Sequence, residues 1–169
     1  MIAIVAAAVV AVGMALLYNG FVSARQRVRE AWSAIDVQLQ RRASLIPNLV
    51  EVVRGYAEFE RDTMQRVAEA RAAAGAASGP RSAASASQEL GAAVRALVAV
   101  AEAYPELKAN QRFSQLQADL ADTENKIAFA RNYYNGAVEL YNIRIQRFPA
   151  LLLAPALGFV PAEFFDASS

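Results

Sequence analysis

The side chains that could do chemistry in this chain are carboxylates, amides, phenols and guanidiniums, because histidine and cysteine are both absent. Their absence removes Ser-His-Asp and Cys-His nucleophile arrangements, disulfides, and thiolate or imidazole metal sites, leaving only carboxylates for any metal. The acidic candidates are Glu102 and Glu106, which flank Tyr104-Pro105 in the run EAYPELKAN, and Glu124, seven residues before Arg131. Glu106 suits the first turn of a helix opened by Pro105, where the helix dipole favours negative charge. Glu124 and Arg131 read as a solvated or interhelical pair rather than an acid/base couple. Arg42 falls on an apolar line through Val28, Ile35 and Leu49, so it must find a carboxylate or carbonyls, lie at a helix end in water, or bind a ligand. Tyr134-Asn135 repeats as Tyr141-Asn142, with Asn125 and Asn132 at similar spacing. Amides and phenols beside an apolar seam can hydrogen-bond across helices and fix register. No glycine-rich phosphate loop, Gly-x-Ser-x-Gly elbow or HExxH motif is present. These residues make no catalytic constellation, and no catalytic, cofactor or metal residue is assigned; a carboxylate-based hydrolase would have to rest on Glu102 or Glu124.

The elements that position these residues are helices. Phe113, Leu120, Ile127, Tyr134, Tyr141 and Phe148 recur every seven residues, with Leu116, Thr123, Ala130 and Ala137 on the alternate seam. That pattern predicts one long amphipathic helix from Phe113 to Phe148 against which shorter helices are laid. Val28, Trp32, Ile35 and Leu39 predict a first helix. Ser44 as an N-cap and Pro47 in a first turn place its end near Arg42 and a second helix from near Leu45; a single kinked helix through Pro47 is the alternative. The second helix carries Leu49, Val52, Val53, Tyr56, Phe59, Met64 and Val67 inward and ends near Gly75. AASGPRSAASAS reads as a flexible connection over about 75–87, followed by a third helix from Gln88 to Ala103. Pro105 then opens the fourth helix and forces Tyr104 out of helical geometry. The expectation is an all-α, antiparallel up-and-down four-helix bundle over residues 25–148, with an N-terminal transmembrane helix that runs on without a joint into the first helix of the bundle.

The chain has 169 residues, 56% of them hydrophobic, with the apolar excess at its two ends. Residues 1–24 carry no charge, and Ile2, Ile4, Val5, Val9, Val10, Val12, Leu16 and Leu17 give a stretch long enough to span a bilayer. Tyr18 and Phe21 are expected at one interface with Arg25, Arg27 and Arg29 beyond it, which by the positive-inside rule puts the body in the cytoplasm. A signal peptide cleaved after Val22, Ser23 and Ala24 is the alternative. Net charge is +1, too weak a field to argue for nucleic acid. The tail, residues 149–169, is apolar and Pro-rich, with Leu151, Leu152, Phe159, Phe164 and Phe165 as candidate contacts. It suits a membrane-interfacial or subunit-contact segment, or a cap folded over the open end of the bundle.

Taken together, Tyr18-Asn19, AWSAIDVQLQRRASLIPNLVEVV, EAYPELKAN, TENKIAFARNYYNGAVELYN and the closing FP and GF/FF tail resemble the LemA family of bacterial membrane proteins. The resemblance implies an N-terminal anchor in the bacterial inner membrane, a helical bundle, no established enzymatic activity and a part in membrane organisation. Some members look like lipoproteins on the outer side of that membrane, opposite to the orientation drawn from the arginines. Members often carry a histidine where this chain has Phe59, and an Asp where it has Ser44. The functional expectation is a non-catalytic, single-pass scaffold whose partners are the bilayer, other copies of itself and possible membrane proteins. The alternative is an adaptor or regulator of a membrane protease or signalling system, binding through the turn from Glu102 to Asn110.

Overall fold

The computed structural model describes residues 1–57 and 60–167, apart from the side chain of Glu102. Its helices are α1 (Ile2–Arg54), α2 (Arg61–Ala76), α3 (Pro80–Val100), α4 (Pro105–Lys108), α5 (Gln111–Gln146) and α6 (Ala150–Leu153), and the described residues contain no strand. The all-α expectation holds.

The break expected between Arg42 and Leu45 does not exist. α1 is one helix of 53 residues, roughly 80 Å long, with Pro47 in its interior. Ser44 is not an N-cap; its Oγ donates to the carbonyl of Arg41 at 2.7 Å. Packing overrides the local signal, because Ile46, Leu49, Val52 and Val53 are buried on the line that Ile35 and Arg42 begin. The expected second helix is therefore divided: its first turns finish α1, and α2 starts afresh at Arg61. Phe59 lies outside the described residues, and Tyr56 is exposed. Gly75 is inside α2 rather than at its cap.

The flexible connection shrinks to residues 77–79. Gly79 adopts φ +85°, which side chains rarely tolerate, and Pro80 opens α3 in its first turn. The Ala/Ser run is helical because its small side chains are core: Ala83, Ala84, Ala86 and Ser87 are all buried. α3 ends at Val100 in a tight turn over Ala101–Ala103. Tyr104 leaves helical geometry as expected (φ −127°, ψ 88°). Pro105, however, opens a separate four-residue helix, and α5 begins anew with Asn110 as its cap, Oδ1 accepting from the Phe113 amide at 3.1 Å.

α5 is the predicted long helix, with Phe113, Leu116, Leu120, Thr123, Ile127, Ala130, Tyr134 and Tyr141 buried. A straight helix drifts off a seven-residue repeat. Val138 and Ile145 accordingly enter the core in place of Ala137 and Phe148, and Phe148 is 83% exposed beyond the helix end. α5 lies antiparallel along α1 without a register break. Arg112 meets Glu51, Asp122 meets Arg41, Glu124 meets Arg42, and Arg144 donates to the Gly20 carbonyl.

The core has two parts. One holds Ile46–Val53 of α1 with α2, α3, α4 and the first half of α5; the other holds the Phe21–Ile35 stretch of α1 with Ala83, Ala84, the second half of α5 and the tail. Phe21 and Ala24 are buried there, so Phe21 is not an interfacial side chain and the exposed apolar stretch ends near Gly20. That stretch, Ile2 to Gly20, is long and apolar enough to cross a bilayer, and from Ile2 to Leu16 it belongs to neither core.

Candidate functional site

The Tyr-Asn repeat of α5 binds the tail. Asn142 accepts from the Ala162 amide at 2.8 Å and donates to the Ala162 carbonyl at 3.0 Å. Asn135 does the same to Phe165, at 2.9 and 3.3 Å. Tyr141 donates to the Val160 carbonyl at 2.9 Å and Tyr134 to the Glu163 carbonyl at 2.8 Å. Seven residues of helix advance about 10.5 Å and three of extended chain about 10 Å. A Tyr-Asn pair repeated every seven residues therefore meets a backbone repeated every three. All six bonds go to main chain, so α5 reads the conformation of the tail rather than its side chains.

Side chains seat the two ends. Phe159 is buried against Phe21 (ring centroids 5.1 Å) and Tyr18 (5.7 Å), with the Arg25 guanidinium 4.6 Å from its centre. Phe165 is buried beside Trp32, which also meets Tyr134 edge-on at 5.6 Å. The tail thus folds back, running from the level of Tyr18 toward Arg42. Of the two readings of this segment, packing on its own bundle describes Phe159 and Phe165, whereas Leu151, Leu152 and Phe164 are exposed. Burial raises the Tyr134 phenol to about 12, with the Glu163 charge adding to it. Burial also raises Tyr141, the nearby Arg25 charge opposing.

Arg42 is the buried charge between the two cores, 2% exposed. Its guanidinium donates to Glu124 at 2.7 Å and to the Ser87 hydroxyl at 2.8 Å, leaving Nε without a partner. Glu124 therefore serves Arg42 rather than pairing with Arg131, although Arg131 lines the same polar pocket together with Arg95 and Asp166. Beside it, Asp122 takes Lys126 at 2.8 Å and Arg41 at 3.2 Å. The Lys126 hydrogen bond is the main reason its carboxyl lies below the usual range, against a smaller opposing effect of burial.

The candidate residues are not one site. Tyr104, Pro105 and Glu106 sit at the opposite end of α5 from the tail's start: Pro105 and Glu106 are exposed, and Tyr104 packs partly buried against the core that holds Ile46–Val53. The side chain of Glu102 lies outside the described residues. Sequence reasoning missed the tail as the partner of Asn135 and Asn142, although the matched rises of helix and extended chain were a usable signal. It also missed Ser87, hidden in what read as a linker.

A family model described as the LemA family matches residues 31–169. Magnetosome protein MamQ 2 and magnetosome protein MamQ 1 of Paramagnetospirillum magneticum are each 27% identical to the chain over 175 residues, and magnetosome protein MamQ of Magnetospirillum gryphiswaldense is 26% identical over 174. Each alignment takes in 88% of this chain and 64% of the relative, so the chain spans less than two-thirds of the length of these relatives.

Proposed function

Because the chain belongs to the LemA family, we propose that it is a non-catalytic, membrane-tethered helical scaffold that assembles with copies of itself or organises membrane partners. Family membership and the magnetosome-protein relatives point to a membrane-associated, non-enzymatic role. The observation that carries the reading is the continuity of α1. One helix is bare and apolar from Ile2 to Leu16 and is core from Phe21 onward, so an anchor in lipid and the bundle move as one rod. In this proposal residues 1–24 hold a single-pass anchor in the bacterial inner membrane, its last residues Phe21 and Ala24 already packed in the bundle, with 25–148 a four-helix bundle and 149–169 a tail clasped to it. Arg25, Arg27 and Arg29 favour the cytoplasmic side.

Phe129 on α5, 77% exposed beside Ala34 and Gln38 of α1, offers the surface for a second copy. The native chain has no cysteine, so Phe129→Cys gives a single reporter thiol. Oxidation in intact membranes is expected to yield a covalent dimer. Monomer alone at native expression, or release of the protein from membranes by alkaline carbonate, would count against the reading. The adaptor alternative is favoured by one feature, the exposed Pro105-Glu106 end far from the anchor. Glu106→Ala should abolish capture of a protease or signalling partner under that alternative and leave dimerisation intact under the scaffold reading.

A further inference from the structure

We infer that the foot of the bundle holds an anionic phospholipid in the groove between α1 and α5. The inference rests on the anchoring proposed above. A cavity of about 1210 Å³ opens there, walled by Leu16 and Leu17 of α1 and by Leu140 and Ile143 of α5, with Arg27, Arg144 and Arg147 at its edge. None of the residues lining it is acidic. Arg144 is held in place by donating to the Gly20 carbonyl at 2.9 Å, at the end of the exposed apolar stretch.

Position and polarity select the occupant. α5 returns to the level of Gly20, so the groove straddles the plane where α1 leaves the bilayer. Helical side chains lean toward their own N-terminus. Arg27 of α1 therefore leans toward the lipid and toward the level of Gly20, where Arg144 is held, and Arg147 follows at the C-cap of α5; all three guanidiniums line the same cavity. On the lipid side of that level the wall is Leu16 and Leu17, continuous with the anchor. Guanidiniums lining one cavity with no carboxylate among them match phosphate oxygens, and the apolar walls match the acyl chains attached to that phosphate. Free phosphate would leave the leucine walls wet. A second copy would have to bury three like charges without a facing carboxylate from this groove.

The test uses the full-length protein extracted gently and exchanged into mixed micelles containing phosphatidylglycerol or phosphatidylcholine, with bound lipid counted by native mass spectrometry. Phosphatidylglycerol should be retained in preference, with the preference falling about fivefold for each guanidinium removed in Arg27→Gln and Arg147→Gln. Gly136→Phe should displace lipid of either kind, because Gly136 lines the groove and a Cβ there meets nothing within 4 Å, and its helix content by circular dichroism should be unchanged. Equal retention of the two lipids, a preference indifferent to these variants, or a lipid-free dimer blocked by Gly136→Phe would overturn the inference. Carbonate extraction separates the two failures: a protein that stays in the membrane without lipid preference sinks the groove alone, and a protein that washes off sinks the anchoring reading with it.

Discussion

Arg71 of α2 donates its Nε–H to the carbonyl of Ala43 at 3.0 Å, the acceptor that Pro47, four residues on, has no N–H to satisfy. The proline at which the sequence suggests a break, with a single helix through it as the alternative, is thus accommodated by a neighbouring helix, and the single helix is what forms. Pro47→Ala restores the missing helical bond and should stabilise the protein by about 1–3 kcal/mol. Arg71→Ala alone should cost about 0.5–1.5 kcal/mol. In the double variant the Arg71 cost should shrink toward zero, and a urea-unfolding double-mutant cycle measures that coupling. Fully additive effects would mean that the carbonyl never needed its outside donor.

Arg42 and Glu124 should respond unequally. Glu124 is 47% exposed and can rehydrate if its partner goes, whereas Arg42 is 2% exposed and cannot. Glu124→Gln, which strands a buried guanidinium, should cost about 2–4 kcal/mol. Arg42→Met, which replaces the charge by apolar volume, should cost under about 1 kcal/mol. Chemical unfolding of both variants decides it, and the reverse order would show that the ion pair itself stabilises the junction of the two cores.

What could be read in the sequence follows from how local its cause is. The seam of α5 from Phe113 to Tyr134 shows as a repeat within one helix, so every member is visible without a partner. Pro47 and Ser44 are equally local signals, yet they mislead because the forces that decide them, Arg71 and the burial of Ile46 and Leu49, come from elsewhere. The Ala/Ser run before Gln88 fails for the opposite reason. Small side chains look like a linker when alone and like a close helix contact when packed, and only the neighbours of Ala83 and Ala84 tell the two apart. Among the candidate residues, Asn135 and Asn142 were visible as a repeat. Their partner was not, because a main-chain partner leaves no side-chain pattern in the tail.

The two asparagines should behave as one clamp. Each makes a donated and an accepted bond to tail main chain, so Asn135→Ala or Asn142→Ala should cost about 1–3 kcal/mol. Hydrogen exchange at the Ala162 and Phe165 amides should quicken in either variant. Once one bond pair is lost and the tail frays, the second has less to hold, so the double variant should cost less than the two single costs together. Asn142→Asp should be no milder than Asn142→Ala, since a carboxylate keeps the acceptor but faces the Ala162 carbonyl without a donor.

Alkali should release the tail through Tyr134. Its phenol is raised from 10 to about 12, chiefly by burial and then by Glu163, so the folded state favours the neutral form. Below pH 10 the phenol is neutral whether the tail is docked or free, and its contribution is fully present. Between pH 10 and about 12 the released form ionises while the docked form does not, so stability drains across that window and is gone above it. Tyr134→Phe keeps the ring beside Trp32 but gives up the bond to the Glu163 carbonyl, at about 1 kcal/mol in neutral solution. Phenolate absorbance followed alongside tail hydrogen exchange should show the native transition in that window and a flatter profile in the variant. Burial raises Tyr141 in the same direction, so a residual slope should persist until Tyr141→Phe is added. An alkaline profile identical in native protein and Tyr134→Phe would assign the loss of the tail to some other group.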